Sequence, residues 1–190
     1  MKHLFSALRL LLIMTVLTGI VYPLVITGIG QIVFSRQANG SSITVDGKIK
    51  GSELVGQKFI SCRYFWGRPS AVDYNPMPSG GTNLGPTSAI LRHIVQQRRT
   101  QHTCTGMLSP NENIPADMLF ASASGVDPHI SPEAARLQIN RIVNFRGFRT
   151  EQKQKIVDLV EHFIEPPQWK IFGEPRVNVL LLNVALDQLN

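Results

Sequence analysis

The chain has 190 residues, of which 43% are hydrophobic and 17% charged, and a formal net charge of +6. That suits one ordinary domain plus an appendage and excludes a globally disordered chain. It does not make a nucleic-acid binder: Lys2 and Arg9 carry +2 of the charge in residues 1–34, and the other +4 is spread over residues 35–190.

From Leu10 to Phe34, LLLIMTVLTGIVYPLVITGIGQIVF, no charged residue occurs in 25 positions. As a helix this run would be about 37 Å long, enough to cross a hydrocarbon core of about 30 Å. A cleaved signal peptide has a shorter apolar region, usually about 7–15 residues. Arg36 also disfavours cleavage after Ala38, so the sequence predicts an uncleaved transmembrane helix at about 10–34 within an N-terminal segment 1–34. Lys2, Arg9 and the terminal amine precede the span and Arg36 follows it, which favours a cytoplasmic N-terminus and an outer location for residues 35–190. Tyr22-Pro23 should kink the helix unless the freed carbonyl finds a partner. Thr15 and Gly19 form a small-xxx-small pair.

Residues 35–50 are polar and glycine-containing and read as a linker, so the folded domain is expected over residues 51–190. Residues 51–70 alternate weakly and then fill with aromatics, suggesting short strands or turns around a packed edge. NPMPSGGTNLGP, 75–86, must be a loop. Residues 87–102 read as a helix with Ile90, Leu91, Ile94 and Val95 on one face. Its cluster Arg92, His93, Arg98, Arg99 and His102 has no aromatic interleaving and reads as a solvated face. TCTGMLSPNENIP, 103–115, is a further loop. Ser131-Pro132-Glu133 starts a helix with a serine cap, a proline that needs no donor and an acid near the dipole's positive end. Ala135, Ile139, Ile142 and Val143 give its buried stripe, and Gly147 its stop. Thr150 is expected to cap the next helix, which ends by Pro166-Pro167. RVNVLLLNVAL, 176–186, reads as a strand buried on both faces. The fold class is therefore a single N-terminal transmembrane helix followed by one extracytoplasmic α/β (α+β) domain.

Several motifs have an active reading and a bland one. GSELVGQKF, 51–59, misses a phosphate loop because Gln57 separates Gly56 from Lys58 and Phe59 replaces the hydroxyl residue, so a structural turn is expected. SGGTNLG could be an anion nest, but glycine-rich turns are far commoner. Ser122, Ser124, Asp127 and His129 do not form the G-x-S-x-G elbow of a hydrolase, and their polar side chains suit local amides. Cys62 and Cys104, 42 apart, lack zinc-ligand spacing. An extracytoplasmic location would permit a disulfide between them, and the spacing does not decide whether they meet.

GIVYPL, QANGS, GSELVGQKF, YFWGRPSA, YNPMPSGGTNLGP, SASGVDPHISPEAARLQINRI and GEPRVNVLLLNVALD occur in that order. Together they resemble the KdpC family, the C subunit of the Kdp potassium-transporting P-type ATPase. The resemblance implies a non-catalytic subunit in a bacterial inner membrane, partnered by a channel-like potassium-binding subunit and by the P-type ATPase subunit, and surrounded by lipid. The family is described as chaperone-like and as raising the ATPase subunit's affinity for ATP. Two readings follow: direct help with nucleotide, with ATP shared with the ATPase subunit and the domain inside, or assembly and gating near the potassium entrance, with the domain outside. The charge bias favours the second. Candidate partner-contact or loop residues are Arg68, Ser70, Asn75, Ser79, Gly80, Gly81, Asn83, Ser122, Ser124, Gly125, Asp127 and His129, with no catalytic or metal residue assigned. An anchored extracytoplasmic hydrolase and a solute-binding module stand as alternatives.

Overall fold

The computed structural model describes residues 2–104 and 113–189, without the side chains of Thr103 and Cys104. The chain divides into two compact units, Met1–Ser42 and Ile43–Asn190.

In the first unit, α1 (Lys2–Val16), a π-helical turn (Leu17–Val21) and α2 (Tyr22–Val33) form one 32-residue apolar helix with none of its span window buried. The helix begins well before Leu10, and the π turn answers the expected kink. Pro23 has no N–H, and its ring would collide with the carbonyl four residues back. The chain widens by one residue instead, so that the Tyr22 amide donates to Leu17 O. Phe34 leaves helical geometry at φ −127°, and α3 (Ser35–Ala38) is a single turn.

The second unit opens with a two-stranded hairpin, β1 (Ser42–Val45) and β2 (Lys48–Ser52). Asp46 and Gly47, with φ of 51° and 72°, supply the two left-handed positions of its turn. Residues 42–50 therefore pair as strands where a linker was expected.

The other strands are short. β3 (His129–Ile130), β4 (Ile164–Glu165) and β5 (Arg176–Asn178) form an antiparallel sheet in the order β3-β5-β4, with Ile130 and Ile164 both opposite Val177. Among the described residues five helices accompany it: α4 (Ala89–Cys104), α5 (Ala116–Leu119), α6 (Pro132–Arg146), α7 (Thr150–His162) and α8 (Val179–Gln188). The core joins Ile139 and Ile142 of α6, Ile156 and Val160 of α7 and Leu182 and Leu186 of α8 to Phe65, Trp66 and Met118.

The expected C-terminal strand is corrected: only residues 176–178 are extended, and the rest is α8. The switch lies at Asn178, whose Oδ1 accepts from the Leu180 and Leu181 amides at 3.1 and 3.2 Å. Such a cap satisfies the first free amides of a helix. Val179, Leu182 and Leu186 then recur on one buried face. α6 starts as expected, with the Ala134 amide donating to Ser131 Oγ at 3.1 Å, and stops at Gly147, φ 69°. The cap of α7 is Arg149, not Thr150, and Gln152 Oε1 accepts the Arg149 amide at 3.0 Å.

On α4, Leu91, Ile94 and Val95 are half-buried, but Ile90 is 63% exposed. The solvated-face reading of the basic cluster holds for Arg92, His93 and Arg99 only. Arg98 is half-buried and donates to Leu119 O, and His102 is buried against Met118 O at 3.2 Å. Burial pulls both groups below their ordinary pKa values.

Of residues 51–70, expected to form short strands or turns, Gly51 and Ser52 end β2 and the rest, including the aromatic part, is turn and irregular chain. The backbone of the aromatic part is paired by side chains. Asn183 of α8 accepts from the Phe65 amide at 2.8 Å and donates to Phe65 O at 2.9 Å. Gln138 of α6 accepts from the Trp66 amide at 2.7 Å and donates to Trp66 O at 3.1 Å. Arg141, fully buried, donates to Cys62 O, Tyr64 O and Gln138 Oε1 at 2.6–2.8 Å and stacks 4.2 Å from the Trp66 ring. Burial pulls its pKa down to about 10, so it stays charged at neutral pH. Three helix side chains thus replace a β ladder. Cys62 is a free thiol; the side chain of Cys104 and most of the 103–115 loop lie outside the described residues.

Candidate functional site

The candidate residues meet where irregular segments stack around two buried glycines. Gly125 has φ 74°, and a Cβ there would lie 2.5 Å from Val72 Cγ2 and 2.9 Å from Gly80 O. Gly56 is buried, and its Cβ would lie 2.4 Å from Asp127 O. Only glycine allows such close backbone approach. Backbone bonds fasten the layers: the Gly56 amide to Val126 O at 2.7 Å, Gly80 to Ser124 O at 2.9 Å, and Ser122 to Pro69 O at 3.1 Å.

The side chains complete the cluster. Arg68 Nη1 lies 3.0 Å from Asp127 Oδ2, and Asp127 Oδ1 accepts the His129 amide at 3.0 Å with His129 Nδ1 at 3.6 Å. Burial by itself would raise the Asp127 pKa, but the hydrogen bonds from His129, with the charge and hydrogen bond of Arg68, outweigh it and hold the carboxyl below its ordinary value. Ser70 Oγ accepts from the Val72 and Tyr74 amides at 3.2 and 2.9 Å. The Tyr74 hydroxyl donates to Arg68 O at 2.5 Å, and its pKa is pushed up to about 12 by burial and by the Asp127 and Asp73 charges.

Arg68, Ser70, Gly80, Gly81, Ser122, Ser124, Gly125, Asp127 and His129 are therefore brought together. Asn75, Ser79 and Asn83 are exposed; Asn75 Oδ1 only closes a local turn to the Met77 amide at 3.1 Å. Gly56, Val72 and Tyr74, absent from the candidate set, are as much part of the cluster. Nothing in their spacing marks them: Gly56 and Val72 are defined by the distant 125–127 segment, and Tyr74 by a local fold-back onto Ser70 and Arg68.

The arrangement fits shape better than bond-making. Ser122 is 3% exposed, and its Oγ accepts the Gly125 amide at 3.0 Å. Ser124 Oγ accepts the Val126 amide at 3.2 Å. His129 faces Asp127 rather than either serine, so no nucleophile–base pair is formed. The phosphate-loop lookalike spends its Gly56 amide on Val126, and exposed Lys58 pairs with Asp73 at 2.6 Å. In SGGTNLG the Gly80 amide is likewise taken, by Ser124. Among the described residues no His/Cys/Asp/Glu group is placed to hold a metal.

A cleft of about 790 Å³ opens beside the Arg68–Asp127–His129 trio. Asp117, Asp127, Glu133 and Glu174 face Arg68 and Arg176 there. Asp117 already accepts the Ser131 amide at 2.7 Å, and Arg176 pairs with Glu165 at 3.0 Å. The balance is acidic, which opposes a polyphosphate guest.

One long apolar helix joined to a mixed α/β domain, with a candidate site built from interlocked loops, defines a class of single-helix proteins with one appended domain. The profile of the KdpC family, described as K+-transporting ATPase, c chain, matches residues 4–188, and the chain belongs to that family. It is 46% identical to the potassium-transporting ATPase KdpC subunit of Methylococcus capsulatus, over 99% of this chain and 98% of that one. The corresponding protein of Geotalea uraniireducens is also 46% identical, with both chains fully covered. That of Shewanella putrefaciens is 44% identical over 99% of this chain and 92% of its own.

Proposed function

We propose that this chain is the non-catalytic C subunit of an ATP-driven potassium transport complex in the bacterial inner membrane. The observation that carries the reading is the family match across residues 4–188. A channel-like potassium-binding subunit and a P-type ATPase subunit are its partners. Lys2–Val33 is the anchor, surrounded by lipid. Basic residues at its start put the N-terminus in the cytoplasm and the following domain in the periplasm. The domain stabilises assembly and shapes the potassium entrance through its interlocked loops. Any effect on ATP affinity is transmitted by linkage through state-dependent contacts, because the cleft beside Asp127 is acidic and the lookalike loop is closed.

Orientation is tested by labelling an introduced thiol, Lys155→Cys, after Cys62→Ser and Cys104→Ser. An impermeant maleimide should react once the outer membrane is opened, whereas protection until the inner membrane is broken would reverse the assignment. The role is tested by Asp127→Asn, which should weaken co-purification of the two partner subunits, or potassium uptake, in a chain that remains folded. Lys58→Ala should leave the ATP affinity of the assembled complex unchanged. A tenfold loss would restore the reading of direct help with nucleotide.

A further inference from the structure

Pro23 removes an amide from the middle of the apolar helix, and the π turn before it strands the Thr18 carbonyl. In an unbroken α-helix the carbonyl without a donor would be Gly19 O, four residues back from the proline. In a π turn the amides reach back five residues instead. Tyr22, four residues after Thr18, gives its amide to Leu17 O, and Pro23, five residues after Thr18, has no N–H. Thr18 O is therefore left with no amide donor at either spacing. Side chains of the same helix do not stand in. A serine or threonine three or four residues on could reach back to this carbonyl. Val21 and Tyr22 hold those places, the one without a donor and the other with its hydroxyl at the far end of a ring. The Thr18 hydroxyl itself donates to Met14 O at 2.7 Å.

On the membrane-anchored reading above, we propose that Thr18 O is the docking point for a transmembrane helix of a partner subunit, one that offers it a hydroxyl, amide or indole hydrogen. Tyr22 is the midpoint of the charge-free run Leu10–Phe34. Thr18 O lies within about one helical turn of it, deep inside a hydrocarbon core of about 30 Å. Acyl chains have no donor and that depth holds no water, so only protein can satisfy the group. The approach is open. No residue of the span window is buried, and the peptide bearing this carbonyl ends in Gly19, where a Cβ would meet nothing within 4 Å. The helix has no packing need of its own for that glycine, whereas a second backbone coming close does. A second copy of this chain would bring a Thr18 hydroxyl already committed to Met14. A helix of different sequence can place a free donor there. That helix covers the Thr18–Gly19 face, and lipid covers the rest of the span.

Labelling the full-length chain with carbonyl-13C threonine and 15N glycine selects the Thr18–Gly19, Thr27–Gly28 and Thr105–Gly106 peptide bonds for solid-state NMR. The signal lost in Thr18→Ser belongs to Thr18. It should move downfield, as a carbonyl does on accepting a hydrogen bond, when the labelled chain in vesicles is joined by its unlabelled partner subunits. Pro23→Leu restores the missing amide, so there the signal should sit downfield with or without them. A signal that stays put in an assembled wild-type complex, or that still moves in Pro23→Leu, overturns the proposal and leaves the subunit reading standing. Failure of the chain to assemble with those subunits overturns both. Photo-cross-linking identifies the occupant. A benzophenone side chain at Tyr22 should join the chain to a partner subunit, and one at Ile20, half a turn away, only to lipid. Adducts with a second copy, or no difference between the two positions, also overturn the proposal.

Discussion

Lys2–Val33 and Val179–Gln188 are both apolar helices, yet they meet opposite surroundings. No window residue of the first is buried, whereas Val179, Leu180, Leu182, Asn183 and Leu186 of the second all are. The difference lies in length and in the placement of polar groups. The first is long enough to cross a bilayer and has no charged residue from Leu10 onward. The second is ten residues long and carries an asparagine in mid-helix. That asparagine is stable there because Phe65 presents an amide and a carbonyl with no strand to pair them. An apolar run thus shows that a segment avoids water, and its polar interruptions show what it packs against.

The largest effect is expected from making the second helix as uniformly apolar as the first. Asn183→Leu raises its hydropathy but strips both Phe65 groups of their partner. An unsatisfied buried polar group costs about 1–3 kcal/mol, so the domain should lose roughly 2–5 kcal/mol. Denaturant unfolding of the full chain in detergent measures this. A neutral or stabilising result would show that the asparagine bonds are dispensable. The converse change, Ile20→Arg, places an unpaired charge in the span at an expected cost of about 2.5–3.5 kcal/mol for insertion. Resistance to alkaline extraction should fall, while the folded domain remains unaltered.

What was legible in the sequence follows the same division. The long apolar helix, the Ser131-Pro132 helix start and the Gly147 stop rest on local signals, and the structure contains each of them, the first as a helix long and apolar enough to cross a membrane. The Asp46-Gly47 hairpin was equally local and could have been found, since a left-handed pair joins two short alternating runs. The residues after Asn178 were harder to place. Valine and leucine without interruption suit a buried strand or a buried helix, and one capping side chain decided between them. Gln138, Arg141 and Asn183 were legible only as polar residues on an apolar face; the backbone groups they pair with, from Cys62 to Trp66, lie 72 to 118 residues away. The candidate cluster was half visible for the same reason. Its glycines and prolines announced loops, but not that Gly56 would press against Asp127.

Acid should separate the two regions as well. Burial pushes His102 below its ordinary pKa of about 6.5, so the unfolded chain takes up a proton that the folded chain refuses. Stability should therefore fall as pH drops through about 6.5, and go on falling until the folded histidine titrates. Asp127 adds a second loss at lower pH. Its carboxyl is held below its ordinary value, so its contribution is present above about 4 and disappears as the folded group is protonated. The unfolding midpoint should be lower at pH 5.5 than at pH 7.5, and His102→Asn should flatten that difference. Between Leu10 and Val33 the apolar helix carries no Asp, Glu or His, so its retention in vesicles should not change. A flat profile in the unaltered chain would show that His102 is not held neutral by the core.

The smallest expected effects lie in the candidate loop. Ser131→Ala removes the cap of α6 and should cost about 1 kcal/mol, as one lost bond to a helix amide does. Ser122→Ala and Ser124→Ala each remove one bond to a loop amide, and about 0.5–1.5 kcal/mol is expected for either. These three serines share one chemistry: each oxygen accepts from a backbone amide two or three residues ahead. Stability alone would not distinguish that role from a nucleophile's, since either could tolerate alanine. Potassium uptake by the assembled complex does distinguish them. Uptake should persist in all three variants, reduced only as far as folding is, because His129 is engaged with Asp127 and neither Ser122 nor Ser124 has a base to activate it. Complete loss of uptake in Ser122→Ala, with assembly and melting temperature unchanged, would mean that the buried hydroxyl does more than close its turn.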